Sequence, residues 1–339
     1  MKVVVAGGSG ALGRRVTADL AARGHDIAVL TRTPRPGSPH RQVAWDGRSA
    51  GPWAGELAGA AVVNLAGELV DRPATPRNIE LLTHSRVEPT LALARAAATL
   101  DQPPPVWIQM STLAIYGDAG DAVLDERAQP AQGPPQMPGV ARAWEAAAAG
   151  AAGAPAGRQV ILRTGIVLDP QSQAMRRLQG LVGCGLGGRI GSGRQWVSWL
   201  HIDDYLSIVR ACLQDPELSG VVHATSPNPV TNAELMAALR GALRRPPAPP
   251  TPTLLLRLGA IVLRSDPALA LTGRRCVPRR LLEAGFAFDH PDLEAALAHL
   301  LAHRKLLTAA TRRHRHRPRH HKPPAPRPTP VPSPFPVTG

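Results

Sequence analysis

The chain has 339 residues, of which 44 % are hydrophobic and only 3 % are aromatic. This length can bury a large core and fits about two domains or one large α/β unit. No apolar run approaches the ~18 residues of a membrane-spanning helix, and no signal-peptide pattern precedes the first predicted strand, so we expect a cytoplasmic protein without a membrane partner. The cysteines are few and widely spaced, and we predict neither a disulfide framework nor a metal site: Cys184, Cys212 and Cys276.

The net charge of +14 is concentrated near the carboxyl terminus. Residues 304–339 contain nine Lys and Arg, and no acidic residue follows Glu294, so residues 1–303 carry only +5. The same terminal residues are Pro-rich and low in complexity. Because they cannot bury enough apolar surface to offset the entropy cost of ordering, we predict a disordered tail. Nucleic-acid binding is not expected of the folded part, and only weakly of the tail.

The amino-terminal stretch has the pattern of a strand, a glycine-rich turn and a helix. The β-branched run Val3–Val5 leads to Gly7, Gly10 and Gly13, and apolar residues four apart follow. Glycines allow a tight turn and close approach of the backbone to a ligand, while the helix N-terminus offers free amides to a pyrophosphate. This context favours a dinucleotide site over the alternative, a structural turn without a ligand.

The second predicted strand, Asp26–Thr31, ends directly before Arg32. In such folds the residue that closes this strand faces the adenosine ribose: an acid binds the 2′-hydroxyl, and an Arg suits a 2′-phosphate. Thr31 and Arg32 offer a hydroxyl and a guanidinium without a carboxylate. We therefore expect NADP, with NAD as the less favoured cofactor, unless Arg32 is only a solvated surface residue.

Strands and helices then alternate along the chain. We predict further strands at 43–46, 60–65, 106–110, 159–167 and 221–225, and helices at 83–100 and 140–149. Asn64, Ala66 and Gly67 follow one strand, where small residues leave room for a cofactor. Ser111 and Thr112 follow another, where hydroxyls could stabilise a developing oxyanion or only satisfy backbone groups at the strand end.

The later segments are predicted to complete the core and to form the substrate side. Residues 119–139 are polar and Pro-rich and are predicted to form a loop that covers the site, and residues 180–193 contain many glycines. Residues 194–204 contain two Trp, an Arg and a His, which favours either a wall of the substrate site or a packed junction between subdomains. We predict that Arg194, Trp196 and His201 contact the substrate. Asp203 is predicted to cap the helix that follows.

Thr231 and Glu234 indicate a capping box for a helix through Leu243. Residues 254–263 are apolar enough to form a buried helix. Residues 278–282 and 291–301 are predicted to be the last segments of the folded part of the chain.

The order of these elements predicts an α/β fold with a Rossmann-type, doubly wound parallel sheet. The resemblance of the chain to a known family also implies a smaller C-terminal substrate domain. We expect residues 1–170 to form the NAD(P)-binding domain, completed by about 200–230. Residues 171–303 would form the substrate-side segments and the small C-terminal domain, and residues 304–339 the tail.

With these segments in place, the chain resembles the extended or atypical short-chain dehydrogenase/reductase superfamily. More narrowly, it is similar to bacterial epimerase-family proteins described as sugar-nucleotide epimerases or NADP-binding oxidoreductases. The resemblance extends from residue 1 to about 301 and is carried by these stretches: 7–13, 30–32, 64–68, 85–86, 111–118, 144–145, 163–168, 191–204, 224–231, 278–288 and 291–297.

The resemblance implies roles for particular residues. A pyrophosphate would be held by Gly7, Ser9, Gly10, Leu12 and Gly13, with Ala11 among them, and Arg32 would meet the 2′-phosphate. Ala66 and Gly67 would line the cofactor crevice, and Ser111 or Thr112 would lie by the nicotinamide. The wider superfamily uses a Tyr-x-x-x-Lys pair as acid and base, which is missing from residues 136–142 here, as is usual in the narrower group.

Two hypotheses for function follow. The first is an NADP-dependent oxidoreductase or epimerase for a hydroxyl or keto substrate such as a nucleotide sugar, in which Ser111 and Thr112 polarise the oxygen and Tyr116 or a residue of 194–201 handles the proton. The second is an NADP(H)-binding sensor or scaffold without turnover, because the Tyr/Lys pair is missing. A homodimer is left open.

Overall fold

The computed structural model describes residues 1–151, 157–263 and 265–302. Residues 1–301 form one compact unit. The predicted tail, 304–339, lies outside the described residues, and the predicted boundary near residue 170 stays a prediction. Within the described ranges, no helix combines the length and the apolar character that crossing a bilayer needs.

The described residues contain thirteen strands, ten α-helices and three short helices of other types, at Pro52–Leu57, Leu113–Tyr116 and Pro135–Gly139. The strands are β1 Lys2–Ala6, β2 Asp26–Thr31, β3 Arg41–Ala44, β4 Ala61–Asn64, β5 Val106–Thr112, β6 Val123–Leu124, β7 Arg158–Thr164, β8 Ile166–Leu168, β9 Trp196–Val197, β10 Trp199–His201, β11 Gly220–Ala224, β12 Val230–Thr231 and β13 Arg275–Cys276. The helices are α1 Ala11–Ala22, α2 Pro76–Ala97, α3 Val140–Ala151, α4 Gln173–Gly183, α5 Ile202–Gln214, α6 Asn232–Ala242, α7 Thr253–Leu263, α8 Ala268–Leu271, α9 Arg279–Glu283 and α10 at 293–302.

The central sheet has seven parallel strands in the order β11-β7-β5-β4-β1-β2-β3. The chain winds outward from β1 in one direction through β2 and β3, and then in the other direction from β4. This reversal leaves a crevice between the carboxyl ends of β1 and β4, where ligands bind in open α/β sheets. The predicted Rossmann-type doubly wound fold is confirmed.

The two faces of the sheet are buried by different helices. Val3 and Val5 belong to a core cluster shared with α1 and α5, whereas Val4 and Ala6 belong to a cluster shared with α2. Alternate side chains of a strand point to opposite faces, so a strand covered on both sides reads as a continuous apolar run. The sequence Val-Val-Val-Ala of β1 is such a run.

Three small two-stranded sheets attach the later segments to this core. They pair β10 with β8, β12 with β9, and β13 with β6. The predicted strand 159–167 is divided between β7 and β8 at Gly165, where an added Cβ would lie 2.6 Å from the carbonyl oxygen of Ser198. The capping box of Thr231 and Glu234 is confirmed at the start of α6.

Two predictions about helices were wrong, and one helix was not predicted. The unpredicted helix is α4, whose N-cap Ser172 accepts a hydrogen bond from the Met175 amide. The N-cap of α5 is His201 rather than Asp203, which instead donates its amide to His201. Helix α7 is formed where expected but is exposed, with Leu254 67 % and Ile261 72 % accessible.

Candidate functional site

The turn between β1 and α1 requires its glycines. Gly7 has φ of +76°, and an added Cβ would lie 2.6 Å from the carbonyl oxygen of Leu65. At Gly13 an added Cβ would overlap the carbonyl oxygen of Gly7. Gly7 therefore permits a left-handed turn, and Gly13 permits α1 to pack closely against that turn. A phosphate-binding loop requires both features.

The N-terminus of α1 is open for an anion. Its N-cap, Gly10, provides no side-chain cap, and the first turn contains no acidic residue. Ser9, Gly10 and Ala11 are exposed, so the first amides of the helix and the positive end of its dipole face solvent. These residues fit the pyrophosphate of a dinucleotide, and the predicted set Gly7, Ser9, Gly10, Ala11, Leu12 and Gly13 lies together in this turn.

The end of β2 presents a guanidinium to solvent. The Arg32 side chain is 76 % exposed, and its Nη2 lies 3.4 Å from Oε1 of Glu68, which also pairs with Arg72 at 3.3 Å. Exposed ion pairs of this kind contribute little, so an arriving phosphate can replace Glu68 as the partner. Thr31 beside it is only 7 % exposed.

Asn64 shapes the turn after β4 from inside the protein. Its side chain is fully buried, its amide donates to Thr90 Oγ1 and to Gln109 Oε1, both at 3.0 Å, and its Oδ1 accepts the Ala66 amide at 3.2 Å. A Cβ on Gly67 would lie 3.1 Å from the side chain of Arg86. Asn64 therefore fixes the backbone of 64–67 rather than presenting its own side chain to the crevice.

Ser111, at the end of β5, is held in a buried ion-pair network. Its hydroxyl donates to Oε1 of Glu145 at 2.5 Å, and Arg163 donates to both oxygens of that carboxylate at 2.9 and 2.7 Å. Burial alone would lower the pKa of Arg163, but the hydrogen bonds and charge of Glu145 raise it above its usual value. Ser111 itself is 2 % exposed, so the network fixes the strand end.

Thr112 is the more accessible of the two hydroxyls. It is half-buried, and its Oγ1 accepts the amide of Ala114 at 3.1 Å. An oxygen that accepts a backbone amide keeps its own proton for another acceptor. The geometry therefore favours Thr112 over Ser111 as the hydroxyl that meets a substrate oxygen.

The Tyr116 hydroxyl has three polar neighbours, one of which is the Asp125 carbonyl oxygen at 3.3 Å. It accepts from Nη1 of Arg163 at 2.6 Å and lies 2.7 Å from Nε2 of His223, whose Nδ1 lies 3.1 Å from the Val277 carbonyl oxygen. That carbonyl requires a proton on Nδ1, so Nε2 accepts from the tyrosine. Burial raises the pKa of Tyr116 and lowers the pKa of His223 to about 4. The geometry favours a structural role for Tyr116, and its predicted catalytic role stays a prediction.

Two of the three predicted substrate residues lie together. The Trp196 indole donates to Oδ1 of Asp121 at 2.8 Å, and Arg194, 81 % exposed, lies 3.6 Å from the other oxygen of that carboxylate. His201 is fully buried elsewhere, as the N-cap of α5. Direct contact of His201 with a substrate would require its present packing to open.

Sequence analysis missed a histidine cluster that forms around His201. Ligand-type atoms of His201, Asp203, His290 and His299 lie within 4.8 Å of one another, and the rings of His201 and His290 stack at 3.8 Å. Nδ1 of His201 accepts the Asp203 amide, so its Nε2 donates to Nδ1 of His299 at 3.1 Å. These hydrogen bonds use lone pairs that a metal would need, and the absence of a metal site stays a prediction. No sequence spacing joins residues so far apart.

Sequence analysis also assigned no role to Gln136. The residue is 6 % exposed and donates to the carbonyl of Arg72 at 3.3 Å, and its Oε1 is buried without a hydrogen-bond partner among the described residues. The next residue, Met137, has φ of +57°, a strained conformation for a side-chain-bearing residue. Gln136 begins the segment 136–142, where the superfamily resemblance places the tyrosine of the Tyr/Lys pair. Because its side-chain carbonyl is buried without a donor, it can accept a hydrogen bond from a bound ligand.

Comparison with known families agrees with this geometry. Residues 3–224 match the NAD dependent epimerase/dehydratase family, and residues 251–300 match a domain of unknown function (DUF1731). The human epimerase family protein SDR39U1 is 34 % identical over 305 residues, which cover 89 % of this chain and all of the human one. An epimerase family protein of Mycobacterium tuberculosis is 34 % identical over 304 residues, covering 88 % and 96 % of the two chains.

Solved structures show the same relationship. The crystal structure of human SDR39U1 (isoform 2) with NADPH superimposes with a TM-score of 0.75 at 32 % identity, covering 88 % of this chain and 99 % of that one. A nucleoside-diphosphate sugar epimerase from Corynebacterium glutamicum gives a TM-score of 0.71 at 31 % identity, covering 91 % and 61 %. The resemblance inferred from the sequence and its nicotinamide dinucleotide are confirmed at the level of the family. The chain belongs to the NAD dependent epimerase/dehydratase family.

Proposed function

We propose that the chain binds NADP(H) across the carboxyl ends of β1, β2 and β4 and acts on a hydroxyl or keto substrate. The observation that carries this proposal is the uncapped N-terminus of α1 beside Gly7 and Gly13. At both glycines a side chain would collide with neighbouring backbone atoms. Arg32 supports NADP over NAD, because its exposed guanidinium suits a 2′-phosphate. NADPH in the human relative is consistent with this choice.

The reacting end of the site is built on β5. A bound nicotinamide supplies or accepts a hydride at a substrate carbon. The Thr112 oxygen accepts the Ala114 amide, so its hydroxyl proton is free to be donated to the substrate oxygen. This hydrogen bond stabilises the negative charge that develops on the substrate oxygen. Ser111, Glu145 and Arg163 do not touch the substrate; they hold the end of β5 so that Thr112 is preorganised.

Proton transfer is the incomplete part of the site. Residues 136–142, where the resemblance places the Tyr/Lys pair, contain neither of these residues. The Gln136 amide in this segment binds an oxygen without exchanging a proton at neutral pH. Tyr116 donates to His223 and accepts from Arg163, so its proton is not directed at the crevice. The proton therefore passes to water or within the substrate, and we expect slow turnover.

The proposed substrate class is a nucleotide sugar. The Corynebacterium relative is described as a nucleoside-diphosphate sugar epimerase, and it covers 91 % of this chain. In this chain Arg194 and Trp196 offer a guanidinium for an anionic group and an aromatic surface for a base, side by side around Asp121.

Binding is tested by calorimetry with NADPH and NADH. We expect NADPH to bind more tightly, and Arg32→Ala to weaken NADPH by about 10- to 100-fold while leaving NADH unchanged, because a charge-assisted hydrogen bond contributes about 1.5–3 kcal/mol. Arg23→Ala, at the far end of α1, is the matched control. Equal affinities for the two cofactors in wild type and variant would refute the role of Arg32.

Turnover is tested with NADP(H) and a panel of nucleotide sugars. We expect Thr112→Val to lower kcat by at least about tenfold and Thr112→Ser to restore it, with NADPH affinity unchanged in both. Tight NADPH binding with no turnover of any panel member would instead favour the sensor or scaffold hypothesis. In that case, affinity for a protein partner should depend on the cofactor.

A further inference from the structure

The segments 171–202 and 235–265, which we call the basic lobe, are strongly biased in charge. Together they contain nine arginines and neither an acidic residue nor a lysine. Arg176, Arg244, Arg245 and Arg257 are exposed. The acidic groups that face the lobe come from elsewhere: Asp71 pairs with Arg177, and Asp121 lies beside Arg194.

The two segments of the basic lobe are joined through backbone contacts. The Thr251 amide donates to the Arg189 carbonyl at 2.8 Å, and the Gly191 amide donates to the Thr251 carbonyl at 2.9 Å. Arg240 of α6 donates to the carbonyl of Gly187, just beyond α4. Gly188 approaches the backbone of Pro249 so closely that an added Cβ would overlap it. The eight arginines of the basic lobe that the structure describes therefore belong to one continuous part of the molecule.

The basic lobe also exposes large aliphatic side chains. On α7, Leu254, Leu255, Leu258 and Ile261 are 67, 59, 52 and 72 % exposed, and Leu186 after α4 is 61 % exposed. Residues 254, 258 and 261 share one helix face, since they are four and three positions apart. In water such a face is unfavourable, and it marks a surface that docks on something else.

We infer that the basic lobe docks on an anionic membrane surface, with α7 lying in the interface. Exposed leucines on a short helix, in segments whose own charged residues are all arginines, are the composition of an interfacial segment. Its apolar face would enter the acyl boundary while the guanidiniums meet lipid phosphates. A nucleic acid would use the arginines but not the leucines. The absence of a membrane-spanning helix in the described residues leaves this surface mode of binding open.

The experiment is co-sedimentation of the full-length protein with vesicles of phosphatidylcholine alone and with vesicles that also contain 30 mole per cent phosphatidylglycerol, whose anionic surface attracts basic residues. To remove the contribution of the tail, all variants are made in a full-length background whose nine tail Lys and Arg are changed to Ser. We expect binding to the anionic vesicles only, weakened by salt.

The double variant Leu254→Gln/Leu258→Gln should lower the partition coefficient by about tenfold or more, because two partly inserted leucines are lost. Leu282→Gln, a 49 % exposed leucine on α9, is the control and should change nothing. Equal binding to both vesicle types, or no effect of the α7 variant, would overturn the inference. So would a dimer, seen by sedimentation velocity, that the α7 variant dissociates. NADPH affinity, which belongs to the proposed function, should be the same in all variants.

Discussion

At the scale of single residues, the site depends on glycines at positions where a side chain does not fit, and on hydrogen bonds that fix where protons lie. Gly13 packs against the Gly7 carbonyl, so a glycine is required there for lack of space and not for backbone flexibility. Thr112 and Tyr116 lie four residues apart, yet only the first retains a hydroxyl proton for a ligand. Sequence analysis could name all three residues, but it could not distinguish Thr112 from Tyr116 because that difference depends on partners distant in the chain.

Gly13→Ala should destabilise the protein by about 1–3 kcal/mol, because the added methyl overlaps the Gly7 carbonyl in a packed turn. The same change should weaken NADPH binding, since the helix N-terminus must shift. Gly180→Ala, inside α4 with open space around it, is the control and should stabilise by about 0.5–1 kcal/mol. Urea unfolding measures both; an unchanged midpoint for Gly13→Ala would contradict the close approach.

Tyr116→Phe should affect stability more than catalysis. Removal of the hydroxyl leaves Arg163 and His223 one partner short, which costs about 1–3 kcal/mol. The rate of hydride transfer in a single turnover should remain within a few-fold of wild type. A fall of 100-fold or more in that rate, with stability unchanged, would instead identify Tyr116 as the general acid.

At the scale of elements, the sequence predicts most of the parallel strands because a strand buried on both faces is a continuous apolar run. The predicted bounds of β2 agree with the structure, and β4 and β5 differ by a few residues at their ends. Helix α4 was missed because glycines at 180 and 183 lie within it, and α7 was predicted as buried because apolar composition does not reveal what covers a helix. Both errors fall in the basic lobe.

The buried His223 of β11 should make the free energy of unfolding depend on pH. Burial lowers the pKa of this histidine to about 4, below the value of about 6.5 expected in the unfolded chain. The unfolded state therefore binds a proton first as pH falls. The contribution of His223 is complete above pH 6.5 and is lost between pH 6.5 and 4, by about 3 kcal/mol.

The measurement is the free energy of unfolding in urea at steps from pH 7 to pH 4. Because Glu126 and Asp204 have pKa values raised by burial and act in the opposite direction, the informative quantity is the difference between variants. His223→Asn should remove about 3 kcal/mol of the pH dependence. Identical slopes in His223→Asn and wild type would contradict a neutral buried His223.

At the scale of the whole molecule, charge separates the folded part from the tail. Residues 1–303 carry +5 of the total +14. Changing the nine tail Lys and Arg to Ser should abolish weak, salt-sensitive binding to duplex DNA and leave NADPH affinity unaltered. Fluorescence anisotropy with a labelled duplex at several salt concentrations measures this. Binding that persists with the same salt slope would place the nucleic-acid affinity on the folded part.

The central claim is that the first amides of α1 hold the phosphates of a dinucleotide. A crystal structure of the protein with NADPH measures it most directly. We predict pyrophosphate oxygens within about 2.7–3.2 Å of the amides that open α1, and the 2′-phosphate beside Arg32. A dinucleotide bound elsewhere, or an α1 N-terminus that faces only solvent while NADPH is bound, would contradict the account.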